Sequence, residues 1–269
     1  MQGRLLPKYK GRFQAHPVGS WDQEFFLARE IGLDCIEIIL DYDEVELNPL
    51  SSSQGRTALA RTIDQSGVAV HSVCADFFMD VPLHSASDAV TRTGLDVLGH
   101  LIRVSREVGY SVVVLPCVDR SRIKSSGERT RLIKNLKKIA PLAADYGVRI
   151  ALETDLPPIE FVELLDQIGH SAIAVNYDAG NSAALGFNFS EELSAYGKFV
   201  TDVHIKDRKL HGNSVPLGSG VADIPGVIRG LSFIEYKGPL ILQTYRDEDG
   251  YESTASQLES FREILEQRA

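Results

Sequence analysis

The chain has 269 residues, of which 43% are hydrophobic and 24% are charged, and its formal net charge is −9. This length is long for one ordinary domain but normal for an α/β barrel of ~250 residues, and the apolar fraction is sufficient for a large core. Nucleic-acid-binding proteins usually carry a basic face, whereas the longest cationic cluster, Lys206-Asp207-Arg208-Lys209, is interrupted by an acid. The composition therefore favours a protein that handles small molecules and argues against a nucleic-acid partner.

Cys35, Cys74 and Cys117 each lie in an apolar run without CxxC spacing, which is typical of reduced core cysteines. The first residues lack the apolar core of a signal sequence, and no run approaches the ~18 apolar residues of a membrane span. We therefore expect a cytoplasmic protein with no membrane partner.

Short β-branched runs alternate with longer amphipathic segments along the whole chain. A short first strand is expected within residues 1–6. Seven further runs are nearly continuous in apolar residues, as expected for parallel strands that are covered on both faces. These runs are residues 35–40, 68–74, 111–117, 148–153, 172–177, 200–205 and 239–243.

Helical patterns between these runs each end at a glycine, which is the residue that favours the left-handed cap of a helix. The patterns are residues 22–31, 88–108, 130–146 and 159–168, followed by Gly32, Gly109, Gly147 and Gly169. Eight strands without a flexible linker predict one domain, residues 1–269, folded as a single (β/α)8 TIM barrel. The alternative is a doubly wound open sheet, which usually has fewer strands or a second domain.

Polar residues end four successive strands of the second half, at Glu153, Asp178, His204 and Gln243. In an α/β barrel the chemistry lies at the carboxyl ends of the strands, so these side chains should meet at one mouth. Oxygen donors with one imidazole suit Mn²⁺, Mg²⁺, Co²⁺ or Zn²⁺. Taken singly, each residue also has a structural explanation as a capping, core or turn residue, and the prediction of a metal site rests on the set.

In the segments around these residues, the chain resembles the xylose-isomerase-like barrel superfamily. That superfamily includes sugar isomerases, epimerases, inosose dehydratases and the endonuclease IV group. The resemblance covers nearly the whole chain. It rests on the segments GLDCIEI, RIALE ending at Glu153, DAGN beginning at Asp178, VHIKD ending at Asp207 and LGSGVAD ending at Asp223. None of these segments is specific for a substrate.

In ketose 3-epimerases of this superfamily, one divalent ion is held by Glu, Asp, His and a second Glu. The resemblance therefore implies a metal ion, with Mn²⁺ as the first choice, held by Glu153, Asp178, His204 and Gln243. Gln243 is a departure, because a carboxamide carries no charge and should bind the ion more weakly. Asn181 is a second departure, since relatives often carry a substrate-contacting histidine there.

The family chemistry implied by the resemblance is abstraction of a proton next to a carbonyl, with a metal-stabilised enediolate. Epimerisation generally needs proton-transfer groups on both faces of the substrate, and one of the two usual glutamates is missing here. We therefore predict a metal-dependent isomerase of a sugar, sugar phosphate or polyol, with Glu153, His71 and Lys206 as catalytic residues. The alternatives are an epimerase or dehydratase, or a non-catalytic sugar-binding barrel with an eroded metal site.

Substrate contacts are expected from polar residues near the strand ends: Glu37, Asn181, Asp207, Arg208 and Arg246. Backbone N–H groups around residues 218–220 lie where barrels often bind phosphate. Cleavage of DNA, as in the endonuclease IV group, is disfavoured by the negative charge and by having only two histidines on predicted strands. Many relatives are dimers or tetramers, so a homo-oligomer is an expectation that the resemblance alone carries.

Overall fold

The computed structural model describes residues 1–266 as a barrel of parallel strands surrounded by helices. One sheet has the order β1-β2-β3-β4-β5-β6-β9, and each adjacent pair is parallel. Its strands are β1 (Cys35–Ile39), β2 (Ala69–Cys74), β3 (Val112–Cys117), β4 (Arg149–Thr154), β5 (Ile173–Asp178), β6 (Val200–Ile205) and β9 (Leu240–Leu242). A separate antiparallel ribbon consists of β7 (Asp207–Arg208) and β8 (Ser214–Val215).

Met1 and Gln2 close the barrel between β9 and β1. Gln2 N donates to Leu242 O at 3.0 Å, and Glu37 N donates to Met1 O at 2.7 Å. Gln2 also pairs in parallel with Glu37. The predicted first strand is reduced to these two residues, because Gly3 takes a φ of +92° and turns the chain away. The prediction of a TIM barrel is confirmed.

Helices cover the outside of the barrel and connect successive strands. The α-helices of the described chain are α1 (Trp21–Glu30), α2 (Ser53–Ser66), α3 (Asp88–Val108), α4 (Ser126–Tyr146), α5 (Pro158–Ile168), α6 (Ala179–Ala184), α7 (Phe189–Tyr196), α8 (Ile224–Phe233) and α9 (Gly250–Glu266). Within residues 1–266, none of them combines the length and the apolar character needed to cross a membrane.

The buried apolar residues form two clusters. The larger lies between the helices and the outward faces of the strands, and Leu98, Leu132 and Val203 are among its fully buried members. A smaller cluster consists of Cys74, Val112, Val114 and Ala151. All three cysteines are free and buried, as predicted.

Candidate metal centre and active site

The three predicted core ligands come together at the carboxyl ends of neighbouring strands. The register of the sheet places Asp178, the last residue of β5, beside His204 of β6. His204 Nδ1 lies 3.8 Å from Glu153 Oε2 and 3.8 Å from Asp178 Oδ2. Potential ligand atoms of all three residues lie within 4.8 Å of one another, and all three residues are buried.

This donor set fits a divalent cation. His204 Nδ1 and the nearest oxygens of Glu153 and Asp178 are potential acceptors that face one another in a buried space. Buried negative charge is costly unless a cation or hydrogen-bond donors compensate it. Two carboxylates with an imidazole and no thiolate suit Mn²⁺, Mg²⁺ or Zn²⁺ better than a soft metal.

The other ring nitrogen of His204 faces a second acidic group. Its Nε2 lies 2.9 Å from Glu37 Oε1 and 3.5 Å from Asp202 Oδ2. Ser72 Oγ donates to Glu37 Oε2 at 2.6 Å. The side chains of Glu37, Asp202 and His204 are 0% exposed. The substrate contact of Glu37 stays a prediction, and in this structure its carboxylate is enclosed and engaged with His204 and Ser72.

The carboxylates set the electrostatics of the cluster. Burial alone would lower the pKa of His204, but Glu37, Asp178 and Glu153 raise it well above the usual value. Burial and the charge of Asp178 raise the pKa of Glu153. Burial would also raise the pKa of Asp178, but Lys206 and His204 lower it to about 2. Glu153 is thus the more basic of the two facing carboxylates.

Two asparagines hold the Glu153 carboxylate, one on each oxygen. Asn176 Nδ2 donates to Oε2 at 3.0 Å, and Asn181 Nδ2 donates to Oε1 at 2.7 Å. Arg208 Nη1 in turn donates to Asn181 Oδ1 at 2.8 Å. Asn176 was missed by sequence reasoning, although it lies two residues before Asp178 and therefore on the same face of β5.

Lys206 and Gln243 form a pair beside the ligands. Lys206 Nζ donates to Gln243 Oε1 at 2.6 Å and lies 3.5 Å from Asp178 Oδ2. Both residues are 7% exposed. Gln243 is thus brought to the site, but its carbonyl oxygen is held by an ammonium group.

Asp76 is a further titratable group near the mouth that sequence reasoning missed. It lies just past the end of β2, so the rule of polar strand ends could have found it. Cys74 Sγ donates to Asp76 Oδ1 at 3.3 Å. Burial, with repulsion from Asp41, raises the pKa of Asp76 to about 7.

His71 is not brought to the cluster. Its neighbour Ser72 reaches Glu37 inside the barrel, so alternation along β2 points His71 outward. His71 is exposed and lines cavities with Cys35, Val112 and Leu240. These are the first residues of β1, β3 and β9, so His71 lies at the amino-terminal end of the barrel. The catalytic role of His71 stays a prediction, and its side chain lies away from the cluster.

Asp207 and Arg246, whose substrate contacts stay predictions, both bond to the backbone in this structure. Asp207 is 0% exposed, and its carboxylate accepts the backbone N–H groups of Arg208, Gly220 and Ala222. It therefore organises a loop, and it occupies N–H groups in the region expected to bind phosphate. Arg246 is buried and donates to Gln2 O and to Thr244 O, so its guanidinium braces the wall of the barrel.

The parallel barrel, with two carboxylates and one imidazole at its carboxyl-terminal end, places the protein among TIM barrels with a candidate metal site. The chain belongs to the family described as xylose isomerase-like TIM barrel, which matches residues 25–264. The predicted superfamily is thus confirmed.

Named relatives are sugar epimerases. The L-ribulose-5-phosphate 3-epimerase UlaE of Salmonella heidelberg is 29% identical over 245 residues, covering 87% of this chain and 86% of that protein. The fold is similar to the crystal structure of D-allulose 3-epimerase from Methylomonas sp. (TM-score 0.75, 19% identity, 93% of each chain). It is also similar to that of 3-keto-D-glucoside 4-epimerase from E. coli (TM-score 0.73, 18% identity, 90% of this chain and 94% of that one). These names agree with the prediction of an isomerase or epimerase.

Proposed function

We propose that the protein is a metal-dependent epimerase of a ketose or ketose phosphate that inverts the carbon next to the carbonyl. The observation that carries the proposal is the buried cluster of Glu153, Asp178 and His204, with Lys206 beside it. The UlaE relatives, named as 3-epimerases of L-ribulose 5-phosphate, support epimerisation over the isomerisation favoured from sequence.

Glu153, Asp178 and His204 would hold the divalent ion, with Mn²⁺ as the first choice. When bound, such an ion supplies positive charge that stabilises the negative charge developing on the substrate carbonyl oxygen. The protein supplies three ligand atoms on three consecutive strands. This spacing fixes the ligands on rigid elements, which favours precise orientation of the substrate.

Glu153 is the proposed base. A carboxylate whose pKa is raised is a better proton acceptor at neutral pH than an ordinary glutamate. Burial and the neighbouring Asp178 raise the pKa of Glu153. Asn176 and Asn181 orient its two oxygens, so the carboxylate meets the substrate in a fixed position.

Lys206 is the proposed proton donor on the opposite face. Glu153 belongs to β4 and Lys206 follows β6, so the two groups approach the mouth from walls separated by β5. Gln243 Oε1 accepts from Lys206 Nζ at 2.6 Å and holds the ammonium at the mouth. Glu153 would take the proton from one face and Lys206 would give a proton to the other, after which both groups exchange with water.

The test is turnover in D₂O of the Mn²⁺-loaded protein with L-ribulose 5-phosphate, free L-ribulose and D-allulose, followed by NMR. Epimer should form and carry deuterium at the inverted carbon. Glu153→Gln should lose both exchange and product. Lys206→Met should still exchange deuterium into the starting sugar while forming epimer at least about 10²-fold more slowly.

The matched control is Lys137→Met, which removes an exposed lysine of α4 and should leave both rates unchanged. An aldose product without any epimer would return the isomerase predicted from sequence. Binding of a sugar without exchange of any hydrogen would contradict the enzyme and favour the non-catalytic barrel.

A further inference from the structure

Two groups of carboxylates lie on opposite sides of the His204 imidazole, one at each ring nitrogen. One consists of Glu153 and Asp178, which face His204 Nδ1, and the other consists of Glu37 and Asp202, which face Nε2. Both have the composition of a metal site. Which of them can bind a cation depends on which ring nitrogen carries the proton, because only an unprotonated nitrogen can be a ligand.

The Glu37 side of His204 has hydrogen-bond geometry. His204 Nε2 and Glu37 Oε1 are 2.9 Å apart, so a proton must lie between them. Ser72 Oγ donates to the other oxygen of the same carboxylate at 2.6 Å. Glu37 is thereby held in one orientation, with both oxygens engaged and with no access to solvent.

The Glu153 side has different geometry. His204 Nδ1 is 3.8 Å from both facing carboxylate oxygens, which is too far for direct hydrogen bonds. The nearer polar atom is Asn176 Nδ2, at 3.2 Å, and an amide nitrogen is a donor. If the Asn176 amide were rotated by 180°, its oxygen would lie about 3 Å from the Glu153 carboxylate, and two acceptors would face each other. The amide is therefore oriented with its nitrogen toward Glu153 and His204. Because that nitrogen is a donor, Nδ1 is assigned as the acceptor.

We propose that Glu37 is a positioning residue that keeps the proton of His204 on Nε2 and so presents Nδ1 to the metal ion. This inference rests on the proposed metal-dependent function. It assigns the cation to Glu153, Asp178 and His204, and it makes the Glu37 group an outer support of that site. Removing such a carboxylate partner from a metal-ligating histidine typically weakens metal binding by about 10–100-fold.

The test is the Mn²⁺ affinity of wild-type protein, Glu37→Gln and Ser72→Ala, measured by electron paramagnetic resonance of free Mn²⁺. Glu37→Gln should bind about 10–100-fold more weakly, and Ser72→Ala should lose affinity by a smaller factor. The matched control is Glu24→Gln, because Glu24 is another buried glutamate, whose carboxylate accepts from Leu5 N at 2.7 Å. It should bind Mn²⁺ like wild type.

A second readout separates positioning from general damage to the fold. Because the carboxylates raise the pKa of His204, the ring is examined in ¹⁵N-histidine-labelled, metal-free protein at a pH high enough to make it neutral. There the His204 signals, identified by their absence in His204→Ala, should report a proton on Nε2. Glu37→Gln should shift that proton population toward Nδ1 while the melting temperature stays near that of Glu24→Gln.

Unchanged affinity together with an unchanged His204 proton position in Glu37→Gln would overturn the inference. Wild-type protein that binds Mn²⁺ but converts no sugar would leave the positioning role intact and contradict only the proposed function. Wild-type protein that binds no divalent ion would overturn both.

Discussion

β2 and β6 each carry one histidine within an apolar strand, but only the histidine of β6 reaches the site. On β6, Asp202 and His204 share the inner face, and Lys206 continues the same column beyond the strand end. On β2, Ser72 takes the inner position and His71 points outward. The comparison teaches that the face of the strand on which a residue lies, inside or outside the barrel, decides its role as much as its chemistry does.

The largest expected difference between the two strands is in metal binding. His204→Ala should weaken Mn²⁺ binding by more than about 100-fold, since it removes a proposed ligand and not merely a supporting group. His71→Ala should keep the wild-type affinity, because His71 lies outside the barrel at its opposite end. Mass spectrometry of bound metal after dialysis measures both variants. Equal loss in the two would break the contrast between β2 and β6.

A third histidine sharpens the contrast, because burial is the largest influence on its pKa and the charge of Arg4 acts in the same direction. His16 is 6% exposed, its Nε2 has no hydrogen-bond partner among residues 1–266, and burial lowers its pKa to about 4. The unfolded chain, with a pKa near 6.5, therefore binds the proton first as pH falls. Stability should drop between pH 6.5 and 4, by about 2 kcal/mol at pH 5 from this group alone.

Urea unfolding at pH 7 and pH 5 measures this effect. His16→Gln should lose less stability than wild type over the same interval, because the side chain no longer titrates. A wild-type chain and a His16→Gln chain with the same pH dependence would show that His16 is not protonated on unfolding.

Lys206 can also be tested through its hydrogen-bond partner Gln243, which directly follows β9. Gln243→Glu adds a third carboxylate beside the ligands and should tighten Mn²⁺ binding by about tenfold, since affinity rises with the number of charged ligands. Gln65→Glu makes the same change of net charge at an exposed position of α2 and serves as the control. Competition with a fluorescent chelator measures both. Unchanged binding in Gln243→Glu would mean that Lys206 neutralises the added carboxylate, and weaker binding would contradict the prediction.

The smallest effect on stability and turnover is expected from a substitution at Gly180, which follows β5 and packs against Lys206. A Cβ added at Gly180 would lie 2.7 Å from Lys206 Cγ and 2.9 Å from the Lys206 carbonyl carbon. Gly180→Ala should cost about 1 kcal/mol and reduce epimer formation by displacing Lys206. Gly127→Ala is the control, since the nearest atom to its added Cβ is Arg131 Nη1 at 3.4 Å. Thermal melting and turnover measure the two variants.

Patterns within single segments were enough to predict most of the barrel. The seven apolar runs correspond to strands within about two residues, because continuous apolar character is the direct signature of strands buried on both faces. Helix α2 was not predicted, since its mean composition is polar and only Ser52 and Gly67 mark its ends. Helix α4 begins four residues earlier than expected, where the Ser125 side chain accepts from Glu128 N.

Contacts between distant segments explain what could not be predicted about the site. Strand ends identified Glu153, Asp178 and His204, because polar residues there are exceptions in apolar runs. Glu37 lies 167 residues before His204, and nothing local tells whether its carboxylate faces a substrate or an imidazole. Asp207 is equally ambiguous in sequence, because its role depends on backbone N–H groups brought back by a later loop.

Asp207 ties both ends of one surface loop to the end of β6. Its carboxylate accepts from Arg208 N at one end and from Gly220 N and Ala222 N at the other. The segment 209–219 can therefore lengthen or change its sequence at small entropic cost while its base stays anchored. Lys206, directly before the anchor, keeps its place. Changes in the sequence or length of this loop are thus separated from the position of Lys206, so the two can vary independently.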